Sequence, residues 1–137
     1  MAVTFEIEIK PRFRDIDSLG HVNNAVYLTY MEEARTKYYM KTANRKRLEE
    51  LDFIFASAKI DYRSPIKWGE TVAVRVWPAR IGTSSFTLRY EMRVKEDGRL
   101  AAEGESVQVA YDYEARRSKP IPDAFRRALE REMASTR

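Results

Sequence analysis

The alternation of apolar and polar residues predicts five β-strands along this chain of 137 residues. In residues 3–9 the apolar side chains of Val3, Phe5, Ile7 and Ile9 share one face, which is typical of a strand buried on one side. The same period recurs in four later segments, which are 53–63, 72–77, 86–94 and 100–113. Turn-forming pairs separate or end these segments, namely Ser64-Pro65, Trp77-Pro78 and Asp97-Gly98.

The last predicted strand contains a conflict in its pattern. Val107, Val109 and Tyr111 are the apolar residues of one face, and we assign that face to the core. Extending this face towards the N-terminus places Glu103 and Glu105 on it. We therefore predict a β-bulge at Gly104 that reverses the alternation.

Residues 24–40 predict a helix whose apolar residues cover much of its circumference over the first three turns. Such a helix is typically enclosed by other structure. Residues 41–52 are polar and predict surface structure with a short second helix. Pro120 and Pro122 open a C-terminal helix, in which Phe125, Ala128 and Leu129 form the apolar stripe.

The order of elements is strand, helix, four antiparallel strands and a small helix. One sheet curled around one long helix is an α+β arrangement, and we find no repeat or linker. We therefore predict that residues 1–137 form a single domain.

Composition narrows the possible functions. The chain is 44% hydrophobic and 34% charged, which is typical of a globular protein. It has no cysteine and one histidine, so we predict no metal site and no bound cofactor. No segment has the pattern of a signal peptide or membrane span, and we expect a cytoplasmic protein.

The net charge of +4 favours an anionic partner. Nucleic acid is one such partner, and a phosphorylated carrier such as coenzyme A is another. Acidic residues occur in four of the five predicted strands and no nucleic-acid motif is present, so we expect no binding of nucleic acid.

Candidate chemistry concentrates in residues 12–35, RFRDIDSLGHVNNAVYLTYMEEAR. Asp17 lies just ahead of the helix, where free N–H groups can stabilise an oxyanion. A carboxylate there can act as a nucleophile or as a general base, although a turn-forming aspartate is the plainer interpretation. We expect Asp15 to pair with Arg12 or Arg14 in a structural role.

This stretch resembles the hotdog-fold acyl-CoA thioesterases of the 4-hydroxybenzoyl-CoA thioesterase-like family. The matching residues are Asp15-Ile16-Asp17, Gly20-His21-Val22-Asn23-Asn24, Tyr27, Glu33-Ala34-Arg35 and, more loosely, the segment 62–69, YRSPIKWG. The resemblance implies a five-stranded antiparallel sheet wrapped around the long helix. It also implies a homodimer or homotetramer with active sites at the interface between protomers.

By this resemblance Asp17 is the catalytic carboxylate, and the N–H of Asn24 polarises the thioester carbonyl. His21 is equally a catalytic residue or a hydrogen-bonded residue that fixes the loop. Asn23 and Tyr27 are assigned to substrate binding, although the other tyrosines of the helix are interpreted as core.

A second candidate site is the segment that begins at Arg80. The guanidinium of Arg80 and the backbone of Gly82, Thr83 and Ser84 could bind the phosphates of coenzyme A. An ordinary hairpin with a solvated arginine explains the same residues equally well.

The predicted function is hydrolysis of an acyl-CoA thioester to a carboxylic acid and coenzyme A. Two alternatives are an acyl-ACP thioesterase and a non-catalytic dimer that only binds acyl-CoA. Leu19 replaces an asparagine found in acyl-ACP thioesterases, which favours the coenzyme A carrier, and Asp17 favours catalysis over binding alone.

Overall fold

The computed structural model describes residues 5–135. Five long strands form one antiparallel sheet in the order β1-β3-β4-β5-β2. Their bounds are β1 Phe5–Ile9, β2 Phe53–Tyr62, β3 Val72–Ile81, β4 Ser85–Val94 and β5 Leu100–Asp112. A short strand, β6 (Arg117–Ser118), pairs with the end of β5. Val3 and Thr4 of the first predicted strand lie outside the described residues.

The long helix α1 (Asn24–Thr42) lies on one face of the sheet, and α2 (Asp123–Ser135) packs near the end of α1. Buried side chains of β3 and β4 alternate as predicted and form the floor beneath α1. The stripe on α2 is also confirmed, because Phe125, Ala128 and Leu129 are all buried. α1 continues to Thr42, and the short second helix predicted within residues 41–52 is only a 3-10 turn, Leu48–Glu50.

The sheet covers α1 on one side only. Tyr27, Tyr30, Met31, Tyr38 and Tyr39 are buried against the sheet and α2. The opposite side of α1 is exposed in the single chain, where Leu28 has 42% of its surface accessible. The predicted wrapping of sheet around helix is therefore confirmed, but the enclosure expected from the apolar circumference is incomplete.

The bulge predicted at Gly104 is wrong. The pairing of β5 with both neighbours runs without a break through Gly104, which lies opposite Ile60 and Tyr90. The buried face consists of the even-numbered residues, whereas Val107, Val109 and Tyr111 lie on the outer face with Glu103 and Glu105. Glycine at position 104 serves close packing and not a bulge, because a Cβ there would lie 2.5 Å from the Lys59 carbonyl oxygen.

The sequence predicted that the third strand ends at Trp77-Pro78, and this prediction is wrong. β3 continues to Ile81, and its register with β4 shifts between Pro78 and Arg80. A proline lacks the N–H that a regular ladder requires, and the irregularity accommodates it. Arg80 is consequently a strand residue, and only Gly82, Thr83 and Ser84 form the turn.

Candidate active site

The loop before α1 is tightly fixed by backbone hydrogen bonds. The Asp17 N–H donates to the His21 carbonyl oxygen at 2.7 Å, and the Gly20 N–H donates back to Asp17 at 3.1 Å. Gly20 has a φ of +81°, a left-handed conformation that glycine adopts without strain. The Val22 N–H donates to Ile66 at 2.8 Å and anchors the loop to the segment before β3. The backbone therefore holds Asp17 in a defined position.

The Asp17 carboxylate uses one oxygen for this loop and leaves the other open. Its Oδ1 accepts from the N–H groups of Leu19 at 2.9 Å and His21 at 3.2 Å. Its Oδ2 accepts no hydrogen bond from residues 5–135, and the side chain is only partly buried. The turn-forming and catalytic interpretations of Asp17 are thus compatible, since each uses a different oxygen.

The N-terminus of α1 lies directly after this loop. Asn23 caps the helix, and its Oδ1 accepts from the Ala25 N–H at 2.9 Å. The Asn24 N–H has no acceptor within the described part of the chain. An open N–H at the positive end of a helix dipole can stabilise a developing oxyanion.

His21 is fixed by its main chain and not by its ring. Its N–H and carbonyl both bond to Asp17, and it forms a bridge with Lys67. The imidazole makes no hydrogen bond to any residue between 5 and 135. The ring is therefore available to a substrate, although its predicted catalytic role stays a prediction.

Asp15 has a structural environment, but its partners differ from those predicted. Its Oδ2 accepts from the Tyr30 hydroxyl at 2.7 Å and from the Arg12 backbone N–H at 2.9 Å. No guanidinium lies within ion-pair distance of it among the described residues. Asp15 thus ties the loop to the buried face of α1.

Tyr27 lies beneath the loop and is only 2% exposed. Its hydroxyl donates to the Ser64 carbonyl oxygen at 3.5 Å, and its ring meets Tyr62 edge-on at 4.9 Å. Burial raises the pKa of Tyr27, and the nearby Tyr62 and Asp17 raise it further. A protonated, buried phenol supports the floor of the site, while contact with substrate remains a prediction.

A groove runs between α1 and the edge strand β2. We call it the α1–β2 groove; a cavity of about 210 Å³ in it is lined by Leu28, Met31, Arg35, Phe55 and Ala58 among others. Arg35 is only 7% exposed, donates to the Tyr90 hydroxyl at 3.4 Å and lies 4.8 Å from the centre of the Phe55 ring. No carboxylate within residues 5–135 pairs with it. The groove is thus mainly apolar, with Arg35 as a buried cation and with Glu32 and Thr29 as its other polar members.

A model of the thioesterase-like superfamily matches residues 11–129 of this chain. The chain belongs to the thioesterase-like superfamily. The fold, the family and the enzyme class predicted from the sequence, a thioester hydrolase, are confirmed by this match and by the solved structures that it resembles.

Among solved structures, this thioesterase is similar to a thioesterase from Thermus thermophilus complexed with coenzyme A and Zn. The TM-score is 0.83 with 36% identity, and the match covers 94% of each chain. It is also similar to the 1,4-dihydroxy-2-naphthoyl-CoA hydrolase of Synechococcus sp. strain CC9605. That match is 27% identical over 134 residues and covers 91% of this chain and 89% of the hydrolase.

A third relative is the uncharacterized protein YsmA of Bacillus subtilis, with 30% identity over 87 residues. This match covers 64% of the present chain and 59% of YsmA. The chain therefore matches little more than half the length of that relative.

The second site predicted from the sequence lies far from Asp17 in this thioesterase. β3 begins close to the loop, which contacts Lys67 and Trp68, whereas Arg80 and the turn lie at the other end of β3. A strand of 10 residues spans about 30 Å. Arg80, Gly82, Thr83 and Ser84 are therefore not part of the Asp17 site within one chain.

The turn itself is tied to the C-terminal part of the thioesterase. Arg126 donates to the carbonyl oxygens of Gly82 at 2.6 Å and Thr83 at 3.0 Å. The Arg80 side chain is exposed and forms no ion pair with the described residues. A role for this turn in coenzyme binding would require it to serve a site on another chain.

Tyr62 is a site residue that the sequence did not identify as such. Its hydroxyl donates to the Asn24 carbonyl oxygen at 2.7 Å and so holds the first residue of α1. The sequence shows Tyr62 only as the end of a strand. The contact joins residues 38 apart, so no local pattern could have predicted it.

The described residues contain no cluster of three or more potential ligands that could hold a metal ion. None of the helices within residues 5–135 has the length and apolar character needed to cross a membrane.

Proposed function

We propose that this protein hydrolyses an acyl-CoA thioester, with Asp17 as the group that drives the chemical step. The observation that carries the proposal is the pairing of an open carboxylate oxygen with an open helix N–H on one short loop. Asp17 Oδ2 and the Asn24 N–H both lack partners within the described chain, and both belong to the 12–35 motif. The coenzyme carrier is supported by the relatives named for CoA thioesters and by the CoA-bound structure.

The chemistry follows from these two groups. Asp17 either removes a proton from a water that attacks the carbonyl carbon, or attacks that carbon itself to form a mixed anhydride that water then hydrolyses. In both routes the carbonyl oxygen gains negative charge and accepts a hydrogen bond from Asn24. The C–S bond breaks, the thiolate of coenzyme A leaves and takes a proton, and the acid is released. We assign His21, which bonds to Asp17 through its main chain, to contact with the carbonyl.

We assign the acyl group to the α1–β2 groove. Its lining by Leu28, Met31 and Phe55 suits a hydrocarbon. The groove also lies between the same two elements, α1 and β2, that the Tyr62–Asn24 hydrogen bond joins. The acyl group therefore has an apolar surface next to the proposed oxyanion site.

Replacement of Asp17 by asparagine tests the proposal. The amide keeps an oxygen for the loop hydrogen bonds but cannot act as base or nucleophile, so kcat should fall by about 10²–10⁴. KM should change little. The measurement is thiol release from a panel of acyl-CoA esters, with circular dichroism to show that the variant is folded.

Asp15→Asn is the matched control, because it removes the same charge two residues away. It should retain most of kcat, since Asp15 bonds to Tyr30 and the Arg12 backbone. Near-parental activity of a folded Asp17→Asn variant would refute the mechanism. Coenzyme binding without thiol release from any ester by the parent protein would instead indicate a non-catalytic binding dimer.

A single turnover in ¹⁸O-water tests for a mixed anhydride that water opens at the aspartyl carbon, whereas an anhydride opened at the acyl carbon gives the same labelling as general-base catalysis. A mixed anhydride hydrolysed at the aspartyl carbon leaves ¹⁸O on Asp17, which mass spectrometry of the peptide detects. General-base catalysis places ¹⁸O only in the released acid.

A further inference from the structure

Two aromatic side chains lie exposed on the outer side of the catalytic loop. Phe13 and Trp68 are 79% and 57% exposed, and their rings meet edge-on with centroids 5.9 Å apart. Leu19, at the tip of the loop, is 77% exposed. We call Phe13, Leu19 and Trp68 the aromatic patch. Exposed apolar groups of this size that lie together mark a binding surface more often than isolated ones do.

The aromatic patch is part of the catalytic loop region. The Trp68 N–H donates to the Gly20 carbonyl oxygen at 3.3 Å. Phe13 precedes Asp17 by four residues, so chain length alone keeps their Cα atoms within about 14 Å. The aromatic patch is therefore within reach of a long carrier whose thioester lies at Asp17.

Basic residues flank Phe13 and Trp68 along the chain. Lys10, Arg12, Arg14 and Lys67 are exposed, and none pairs with a carboxylate among residues 5–135. Asp15 and Asp17 lie nearby but form no ion pair with them, since Asp15 accepts from Tyr30 and Asp17 Oδ1 accepts from N–H groups of the loop. Glu70 is likewise engaged by Arg99 at 2.6 Å. Cations without counter-ions beside an exposed indole form a surface suited to an aromatic anion.

We propose that the aromatic patch binds the adenine nucleotide end of coenzyme A, and this inference rests on the proposed function. Adenine stacks on the Trp68 indole, and the phosphates lie against Arg12, Arg14 and Lys67. Coenzyme A combines a flat base with several phosphate charges, which matches both features of the surface. A second copy of the chain fits less well, because a two-fold contact would place these like charges opposite one another.

The test compares one acyl group on two carriers, coenzyme A and pantetheine, which lacks the nucleotide. Trp68→Ala should raise KM for the acyl-CoA at least about fivefold and leave kcat unchanged. It should not change KM for the acyl-pantetheine. Trp68→Tyr, which keeps a stacking ring, should restore most of the lost affinity.

A double variant tests the contribution of the positive charges beside the aromatic patch. Arg14→Ala combined with Lys67→Ala should raise KM for the acyl-CoA and flatten its dependence on salt, because screening weakens only exposed charge pairs. Lys46→Ala is the matched control, since Lys46 is an exposed cation outside this region, and it should behave as the parent. Phe13→Ala should resemble Trp68→Ala in a weaker form.

Three results would overturn the inference without touching the proposed function. They are equal effects of Trp68→Ala on both carriers, an effect confined to acyl-ACP, and an effect on acyl-CoA from Arg80→Ala but not from Trp68→Ala. If the parent protein releases no thiol from any ester, the proposed function fails. Calorimetric titration of the parent and Trp68→Ala with coenzyme A and with pantetheine then decides the inference separately.

Discussion

At the scale of single residues, Tyr62 shows how a side chain outside the motif controls it. Its hydroxyl holds the Asn24 carbonyl at 2.7 Å, while its ring packs edge-on against Tyr27. This carbonyl belongs to the Asn24–Ala25 peptide, so the bond fixes Asn24 from one side and limits rotation of the preceding peptide, which carries the Asn24 N–H. Tyr62 is therefore a positioning residue for the proposed oxyanion site, although it lies on the edge strand.

Tyr62→Phe removes only the hydrogen bond and keeps the ring. The lost hydrogen bond is worth about 1 kcal/mol, so its absence should lower kcat about fivefold with little change in KM. Steady-state kinetics with one acyl-CoA provides the measurement. Tyr113→Phe is the control, because Tyr113 makes the same kind of bond to the Phe53 carbonyl at 2.8 Å, at the other end of β2. If both variants lose activity equally, Tyr62 acts only through stability.

At the scale of elements, the inner face of β5 allows the close packing of helix and sheet. That face is made of small and polar residues, which are Ala102, Gly104, Ser106, Gln108 and Ala110. Tyr90, Ser106 and Gln108 satisfy one another by side-chain hydrogen bonds. A larger residue at Gly104 would meet both the β2 backbone and Met31 of α1.

Gly104→Ala should therefore destabilise the protein. The added Cβ would lie 2.5 Å from the Lys59 carbonyl oxygen and 3.4 Å from the end of Met31. Overpacking of this kind costs about 1–3 kcal/mol, which thermal or urea unfolding would detect. Gly82→Ala should cost less, because its closest neighbour is the movable Ser85 hydroxyl at 2.9 Å. Equal midpoints for Gly104→Ala and the parent would contradict this account.

At the scale of the whole molecule, β2 is the surface where we expect a partner chain. It forms one edge of the sheet, and residues 55–59 are all exposed. The inward residues of β3 and β4 are buried and offer no apolar surface to a partner. If the protein associates, we expect the contact at β2 and at the exposed side of α1, which carries Leu28.

We expect a homodimer, or a tetramer built from it, in which β2 contacts its own copy. Light scattering at micromolar concentration should give at least twice the monomer mass. Ser57→Glu should shift the protein towards monomer, since a two-fold contact brings the new charges together. Ala79→Glu adds the same charge on β3 and should not. A monomeric parent protein would contradict this expectation. The α1–β2 groove would then have no second chain beside it.

The sequence by itself determined the elements and the family. The alternation of apolar residues in strands and the apolar pattern of a helix are local properties of the sequence. The predicted helix 24–40 therefore agrees closely with Asn24–Thr42, and the predicted strand that begins at Phe53 agrees with Phe53–Tyr62. The motif around Asp17 is also contiguous, and it predicted the superfamily that the comparison confirms.

Only the tertiary structure decided which face of each element is used. Alternation shows which residues of β5 share a face, but the more apolar face, with Val107 and Val109, is the outer one. The inner face includes position 104, where the Lys59 carbonyl oxygen and Met31 leave no room for a side chain and only glycine fits. Likewise, sequence order cannot show that Arg80 lies a full strand away from Asp17, or that Tyr62 holds Asn24. These relations depend on pairing between distant segments, which a local pattern does not encode.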